Sequence, residues 1–139
     1  YLKNLTTSLY ELNGIKPDLH ICGHTKRQWE DLKEFDIESF SVDNCHDLAE
    51  CKDKIEDKLS LMGNVPPVDV MRNGSIDDVI ESVKTCIKKG ADCKHGYICA
   101  TGCGTGPGTP KENIDAFVYA VRKYSKDAKL GEMPEAIYQ

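Results

Sequence analysis

Apolar residues recur along the chain in two alternating patterns, one with helical spacing and one in short continuous runs. Leucines three and four residues apart predict a first helix that ends near Gly14. Four apolar runs follow and predict strands at residues 19–22, 39–42, 59–65 and 97–100, the third interrupted at Gly63 and Asn64. Because a stretch with helical periodicity follows each run, the predicted order is α-(βα)4.

Each of the later helices is predicted to begin at a residue type that caps helices. The predicted caps are Thr25 in a capping box with Gln28, Asp47 paired with Glu50, Ser75, and Thr109 followed by Pro110. The apolar face predicted for the last helix consists of Ile114, Phe117, Val118, Val121 and Tyr124.

Strands that alternate with amphipathic helices pair in parallel and are joined by right-handed crossovers. The predicted fold class is therefore α/β, with residues 1–139 as a single unit. Four β/α units correspond to half of a (β/α)8 barrel or, alternatively, to a small doubly wound sheet. Both folds bind ligands at the carboxyl ends of the strands, so we expect function at residues 20–25, 43–47, 63–67 and 101–108.

The composition of the 139 residues, 40% hydrophobic and 29% charged, is that of one globular domain. No apolar run approaches the roughly 18 residues of a membrane span, and the net charge of −5 argues against a nucleic-acid partner. The seven cysteines form no CxxC pair and no signal peptide is visible, so we expect reduced cysteines and a cytoplasmic location. Because the chain does not begin with methionine, we expect a fragment of a longer protein.

Three residues with metal-binding side chains stand at two predicted strand ends. His20 and Cys22 are two residues apart, so their side chains leave the same face of a strand, and Cys103 follows the fourth strand 81 residues after Cys22. One imidazole and two thiolates leave one coordination position open, which is the plan of a catalytic zinc site. Packing of the same residues is the competing interpretation, since buried cysteines often act as small hydrophobes.

The other polar groups at the predicted strand ends are less specific. Asp43, Asn64 and His24 would meet at the same mouth, although each also suits a turn or a helix cap. The glycine-rich segment 102–108 matches neither the phosphate-binding nor the dinucleotide-binding glycine pattern. Its amides suit an anion-binding nest beside the next helix, or the segment is a plain connector.

A second group of potential metal ligands, formed by Cys45, His46 and Cys51, is expected not to bind a metal. The six residues that separate the two cysteines would turn their sulfur atoms to different faces of a helix. Structural metal sites require convergent ligands, which this spacing does not provide.

Several short motifs occur in an order that resembles a known family. They are LHICG at residues 19–23, GNVPP at 63–67, GCG at 102–104 and TPKENI at 109–114. In this order the motifs resemble the uroporphyrinogen decarboxylase superfamily, and in particular its cobalamin-dependent methyltransferase branch, over roughly residues 15–125. The resemblance implies a (β/α)8 barrel of which this chain is the carboxyl-terminal half. The first four β/α units would then precede this sequence.

The resemblance also implies roles for particular residues. His20, Cys22 and Cys103 would be the zinc ligands, with no catalytic residue beyond them. Asp43, Asn64 and His24 would bind substrate, and Gly102 and Gly104 would lie on a loop that faces the corrinoid. The sequence departs from the family pattern at His24, where a smaller polar residue is expected, and in the glycine-rich loop at 105–108.

The function implied is a zinc-dependent transfer of a methyl group between a corrinoid cobalt and a small substrate. That substrate is a thiol acceptor or a methyl-ether or methylamine donor, and the corrinoid (methylcobalamin) is free or carried by a partner protein. The alternatives are a metal-free decarboxylase that acts on a tetrapyrrole and an inactive half-barrel. Neither nucleic acid nor membrane is expected as a partner, and open sheet edges predict self-association.

Overall fold

The computed structural model describes residues 1–55 and 58–139, and it shows a parallel four-stranded sheet with the order β1-β2-β3-β4. The strands are β1 (Leu19–His20), β2 (Ser39–Ser41), β3 (Ser60–Val65) and β4 (Tyr97–Thr101). The helices are α1 (Leu2–Asn13), α2 (Trp29–Leu32), α3 (Leu48–Ile55), α4 (Ile76–Gly90) and α5 (Lys111–Tyr124). The predicted α-(βα)4 order and the α/β class are confirmed.

The strand order follows the order of the chain in the part that the structure describes. Parallel partners include Leu19 with Phe40, Phe40 with Leu61, and Met62 with Ile98. A doubly wound sheet reverses its strand order at a switch point, whereas consecutive units of a (β/α)8 barrel do not. The topology therefore favours the barrel over the doubly wound alternative.

Two strands differ in extent from their predictions. β1 covers only Leu19 and His20, so Ile21 and Cys22 belong to the segment after it. β3 runs through Gly63 and Asn64 without interruption, and both residues pair with β4. A short π-helical segment, Pro67–Arg72, follows β3 and was not predicted.

The hydrophobic core lies between the sheet and helices α2 to α5. Helix α4 buries Val79, Val83 and Ile87 in this core, whereas Ile76 at its start is 49% exposed. The prediction for α5 is partly wrong, because Ile114 and Val118 are 43% and 40% exposed while Ala116 and Ala120 are buried. Helix α5 packs closely against α4, and short alanine side chains allow that approach better than branched ones.

Two of the four predicted helix caps are present, and two are wrong because the hydroxyls bond to other groups three or four residues away in the chain. Ser75 forms a capping box with Asp78, and Asp47 accepts a hydrogen bond from the Glu50 amide. The Thr25 hydroxyl instead accepts a hydrogen bond from the Trp29 indole at 3.1 Å. The Thr109 hydroxyl donates to the Gly106 carbonyl, which moves the cap of α5 to Pro110. Within residues 1–55 and 58–139, no helix combines the length and apolarity that a bilayer crossing requires.

Candidate metal centre

His20, Cys22 and Cys103 converge at the carboxyl end of the sheet. The His20 Nε2 atom lies 3.2 Å from Cys22 Sγ, and Cys22 Sγ lies 3.7 Å from Cys103 Sγ. His20 ends β1, Cys22 stands two residues beyond it, and Cys103 follows β4 by two residues. The structure thus brings together three side chains that the sequence predicts as ligands.

The His20 ring is held by the neighbouring strand in the orientation that a metal ligand needs. Its Nδ1 atom lies 3.1 Å from both the carbonyl oxygen and the hydroxyl of Ser41, its register partner on β2. Because a carbonyl only accepts hydrogen bonds, this contact places the ring proton on Nδ1. The lone pair of Nε2 then faces the Cys22 sulfur, and a backbone carbonyl fixes the ring as in many metal sites.

The charges around the cluster favour a cation. The neighbouring Cys103 thiol, as a hydrogen-bond partner and as a second ionisable group, raises the pKa of the Cys22 thiol. Burial alone would raise the pKa of Asp43, but hydrogen bonds from the Gly23 and Cys45 amides hold it below its ordinary value. Ionisation of the two adjacent thiols beside a carboxylate is disfavoured, because like charges repel. A bound cation offsets this repulsion.

The residues fit a zinc ion by their spacing as well as by their type. Zinc binds sulfur at about 2.3 Å with tetrahedral angles, which sets two sulfur ligands about 3.8 Å apart. The Cys22–Cys103 separation of 3.7 Å agrees with this value. The three ligand atoms all lie within 4.8 Å of one another. One imidazole and two thiols can therefore hold a zinc ion and leave its fourth position open.

Asp43 and Asn64 bind the loops that carry the cluster. Asp43 is buried, and its two carboxylate oxygens accept hydrogen bonds from the Gly23 amide at 2.8 Å and the Cys45 amide at 2.9 Å. The Asn64 side-chain amide donates to the backbone carbonyls of Asp43 and His46. These contacts join the segments that follow β1 and β2 to the end of β3, so both side chains position the mouth of the sheet.

The glycines on either side of Cys103 differ in their surroundings. A Cβ atom on Gly102 would lie 2.5 Å from the Asn44 backbone nitrogen, so only glycine lets the segment after β4 pass this close. A Cβ atom on Gly104 would meet nothing within 4 Å. Gly102 is thus required by packing inside the chain, whereas Gly104 borders open space.

A second cluster consists of His24, Cys45 and His46, whose ligand atoms also lie within 4.8 Å of one another. Cys51, which the sequence analysis considered beside Cys45 and His46, is buried in the core and does not join them; the side chain that lies beside them is His24 from the preceding loop. Contact between the loops after β1 and β2 brings them together. The sequence indicated that these two loops could meet, because they follow consecutive strands that were predicted to pair in parallel.

Comparison with known proteins gives consistent matches. A sequence model described as uroporphyrinogen decarboxylase (URO-D) matches residues 1–124. The chain is 33% identical over 105 residues to a methylated-thiol–coenzyme M methyltransferase of Methanosarcina mazei. It is 36% identical over 107 residues to the methylcobamide:CoM methyltransferase MtaA of Methanosarcina barkeri. Each alignment covers 76% of this chain but only 27% and 30% of the relatives, so the chain spans less than a third of their length.

A solved structure also shares the fold. A methyltransferase from Methanosarcina mazei superposes with a TM-score of 0.70 at 27% sequence identity. The superposition covers 86% of this chain and 34% of that protein. The residues 1–124 that match the family model include His20, Cys22 and Cys103.

Proposed function

The chain belongs to the uroporphyrinogen decarboxylase (URO-D) family, and from that premise we propose that it carries the zinc centre of a corrinoid-dependent methyltransferase. The observation that carries the proposal is the convergence of His20 Nε2, Cys22 Sγ and Cys103 Sγ. A decarboxylase has no use for three convergent nitrogen and sulfur ligands. The residues 1–139 would form the carboxyl-terminal half of a (β/α)8 barrel, whose ligands bind at this end of the strands.

The proposed substrates are a corrinoid methyl group and a small thiol. Two relatives are named for methyl transfer that involves coenzyme M, and one of them for a methylcobamide. A methyl ether or methylamine as donor, with transfer in the opposite direction, would use the same open coordination position. The presence of reduced thiols in the centre agrees with the proposed cytoplasmic location.

His20, Cys22 and Cys103 would hold the zinc ion, which would supply the Lewis acidity that lowers the pKa of a substrate thiol and makes it a thiolate at neutral pH. The residues of the chain prepare the site for that chemistry. Ser41 holds the His20 ring so that Nε2 faces the sulfur atoms. Asp43 and Asn64 fix the loops that carry the ligands, and in this way they shape the substrate pocket.

The glycine-rich segment after β4 suits the approach of a flat corrinoid. Gly104 is exposed, and its missing side chain would point into open space next to Cys103. Glycine is common where a ligand approaches the backbone closely. We therefore assign Gly102 to packing within the chain and Gly104 to the face that the corrinoid contacts.

Elemental analysis of the purified chain tests the proposal directly. Replacing Cys103 with alanine should remove about one zinc ion per chain, because two remaining ligands hold zinc weakly. The matched control is Thr105→Ala, an exposed residue of the same loop, which should keep the wild-type zinc content. A Cys103→Ala chain with the wild-type zinc content would contradict the proposal.

Activity is tested by the demethylation of methylcobalamin in the presence of a small thiol, followed by the absorbance of the corrinoid. The reaction should stop when zinc is removed by a chelator and resume when zinc is returned. Turnover of a porphyrinogen that is insensitive to chelators would instead support the metal-free decarboxylase.

A further inference from the structure

We propose that His24, Cys45 and His46 form a second site for a thiophilic divalent metal ion such as zinc, separate from the His20–Cys22–Cys103 centre. Each side chain can place one ligand atom within 4.8 Å of the other two. Two imidazoles and one thiolate are a soft donor set that selects zinc and similar ions over calcium or magnesium. His24 and Cys45 are exposed, so an ion and a fourth ligand can reach them from solvent.

The His46 ring is held in place by backbone groups of the adjacent loop. Its Nε2 atom lies 2.8 Å from the Thr25 amide and 3.0 Å from the Gly23 carbonyl. The Thr25 amide donates to Nε2, which places the ring proton on Nδ1 in the metal-free chain. A metal bound through Nδ1 requires the other tautomer, in which Nε2–H donates to the Gly23 carbonyl in place of the Thr25 contact. A metal-bound histidine whose other nitrogen donates to a backbone carbonyl is a common arrangement.

The two clusters lie on either side of the Asp43 carboxylate. Gly23, which has a φ angle of 79°, turns the chain between Cys22 of the first cluster and His24 of the second. The amides of Gly23 and Cys45 both donate to Asp43, which fixes the two loops around one negative charge. Three thiolates and this carboxylate carry four negative charges, which balance two divalent cations.

The competing explanation is that the histidines only pack against each other. The His24 and His46 rings meet edge to face with centroids 5.7 Å apart, and Trp29 packs against His46 at 5.0 Å. Aromatic packing accounts for the contact between the rings. A hydrogen bond from the Cys45 thiol to the Asp43 carboxylate accounts for the position of the sulfur. This explanation predicts no bound ion.

Metal content measured on defined variants distinguishes the two explanations. The double variant Cys22→Ala, Cys103→Ala removes the first centre, and it should still bind about one Zn²⁺ or Co²⁺ per chain with a thiolate charge-transfer band for Co²⁺. Adding Cys45→Ser or His24→Ala to it should remove that ion and that band. Adding His95→Ala, which replaces an exposed histidine outside both clusters, should leave them unchanged.

Alkylation provides a test that needs no substitution of the second cluster. Cys45 is exposed, so iodoacetamide should modify it in the metal-free double variant. Zinc should protect Cys45 at least tenfold, measured by mass spectrometry. A double variant that binds no metal, or equal alkylation with and without zinc, would overturn the second site. Neither result bears on the zinc lost in Cys103→Ala, so this proposal and the proposed function fail separately.

Discussion

The sulfur atoms of Cys22 and Cys103 lie 3.7 Å apart although the strands that precede them, β1 and β4, stand at the two ends of the sheet order. Neighbouring strands are about 4.8 Å apart, so a flat sheet would separate β1 from β4 by about 14 Å. The segment after β4 closes this gap where it crosses the end of β2, with Gly102 against Asn44. The candidate metal centre therefore depends on the close approach between the segment after β4 and the segment after β2.

Zinc binding to this centre should strengthen as the pH rises. The Cys103 thiol raises the pKa of Cys22 in the metal-free chain, so Cys22 is protonated at neutral pH and must lose its proton to bind zinc. Between pH values of about 6.5 and 8, the apparent affinity should rise by up to about a hundredfold for each pH unit. Competition with a chelator in the Cys45→Ser background measures this slope at the first centre alone.

Cys103→Ala in the same Cys45→Ser background serves as the control for that slope. It removes one of the two protons that zinc displaces and also the neighbour that raises the Cys22 pKa. Its residual, weaker binding should change by about tenfold for each pH unit. An affinity that is independent of pH in the Cys45→Ser chain would show that the thiols are not ligands.

Replacing Gly102 with alanine should destabilise the fold, and the same change at Gly104 should not. A Cβ atom on Gly102 would lie 2.5, 2.7 and 2.9 Å from three atoms of Asn44, which forces the crossing segment to move. Overpacking of this kind costs about 1–3 kcal/mol, whereas Gly104→Ala meets open space and should change stability by less than about 0.5 kcal/mol. Urea unfolding of the two variants measures the difference. Equal free energies of unfolding for the two variants would mean that the loop moves to accommodate the added methyl group without a loss of stability.

The order of elements could be predicted because each one carries its own local pattern. Apolar runs mark the strands, and periodic faces with caps such as Ser75 mark the helices. The predicted caps at Thr25 and Thr109 are wrong although the competing partners are near in the chain. Trp29, four residues after Thr25, and Gly106, three residues before Thr109, use those hydroxyls, and residue type alone does not show which partner a hydroxyl takes.

Part of the site could be predicted from the topology alone. Parallel strands end at one edge, so His20, Cys22 and Cys103 were expected to meet there, and the structure places them together. For His24, Cys45 and His46 the topology indicates only that their loops end at the same edge, because the contact between the side chains depends on how the two loops fold over each other. The Asp43 contacts that join these loops involve backbone amides, which leave no trace in the residue types.

Replacing Asp43 with alanine should destabilise the chain more at neutral than at acidic pH. The change leaves the Gly23 and Cys45 amides without their acceptor, which costs about 1–3 kcal/mol near pH 7. The pKa of Asp43 is lowered in the folded chain, so its stabilisation is complete above the ordinary aspartate pKa of about 3.9. It is lost as the pH falls through the folded-state pKa. Urea unfolding at pH 7 and near pH 3 measures both values.

Two further substitutions control for that result. Asp43→Asn keeps one oxygen acceptor but has no charge, so its cost should be smaller and nearly independent of pH. Asp69→Ala removes an exposed carboxylate and should have little effect at either pH. If Asp43→Ala cost the same at pH 7 and pH 3, the ionised form of Asp43 would not be the stabilising one.

The chain should associate with itself through β4, which ends the sheet order in residues 1–55 and 58–139. β4 is hydrogen-bonded to β3 on one side and carries Ile98, which is 52% exposed. An edge with free backbone groups and an apolar side chain is a template for pairing with another chain. Light scattering should therefore give a mass near twice the 15.5 kDa of one chain.

Ile98→Lys should shift the population to the monomer, because a lysine on an edge strand opposes pairing. The control Thr105→Lys adds the same charge on an exposed loop and should leave the dimer population unchanged. A wild-type chain that stays monomeric at micromolar concentrations would exclude association through this edge.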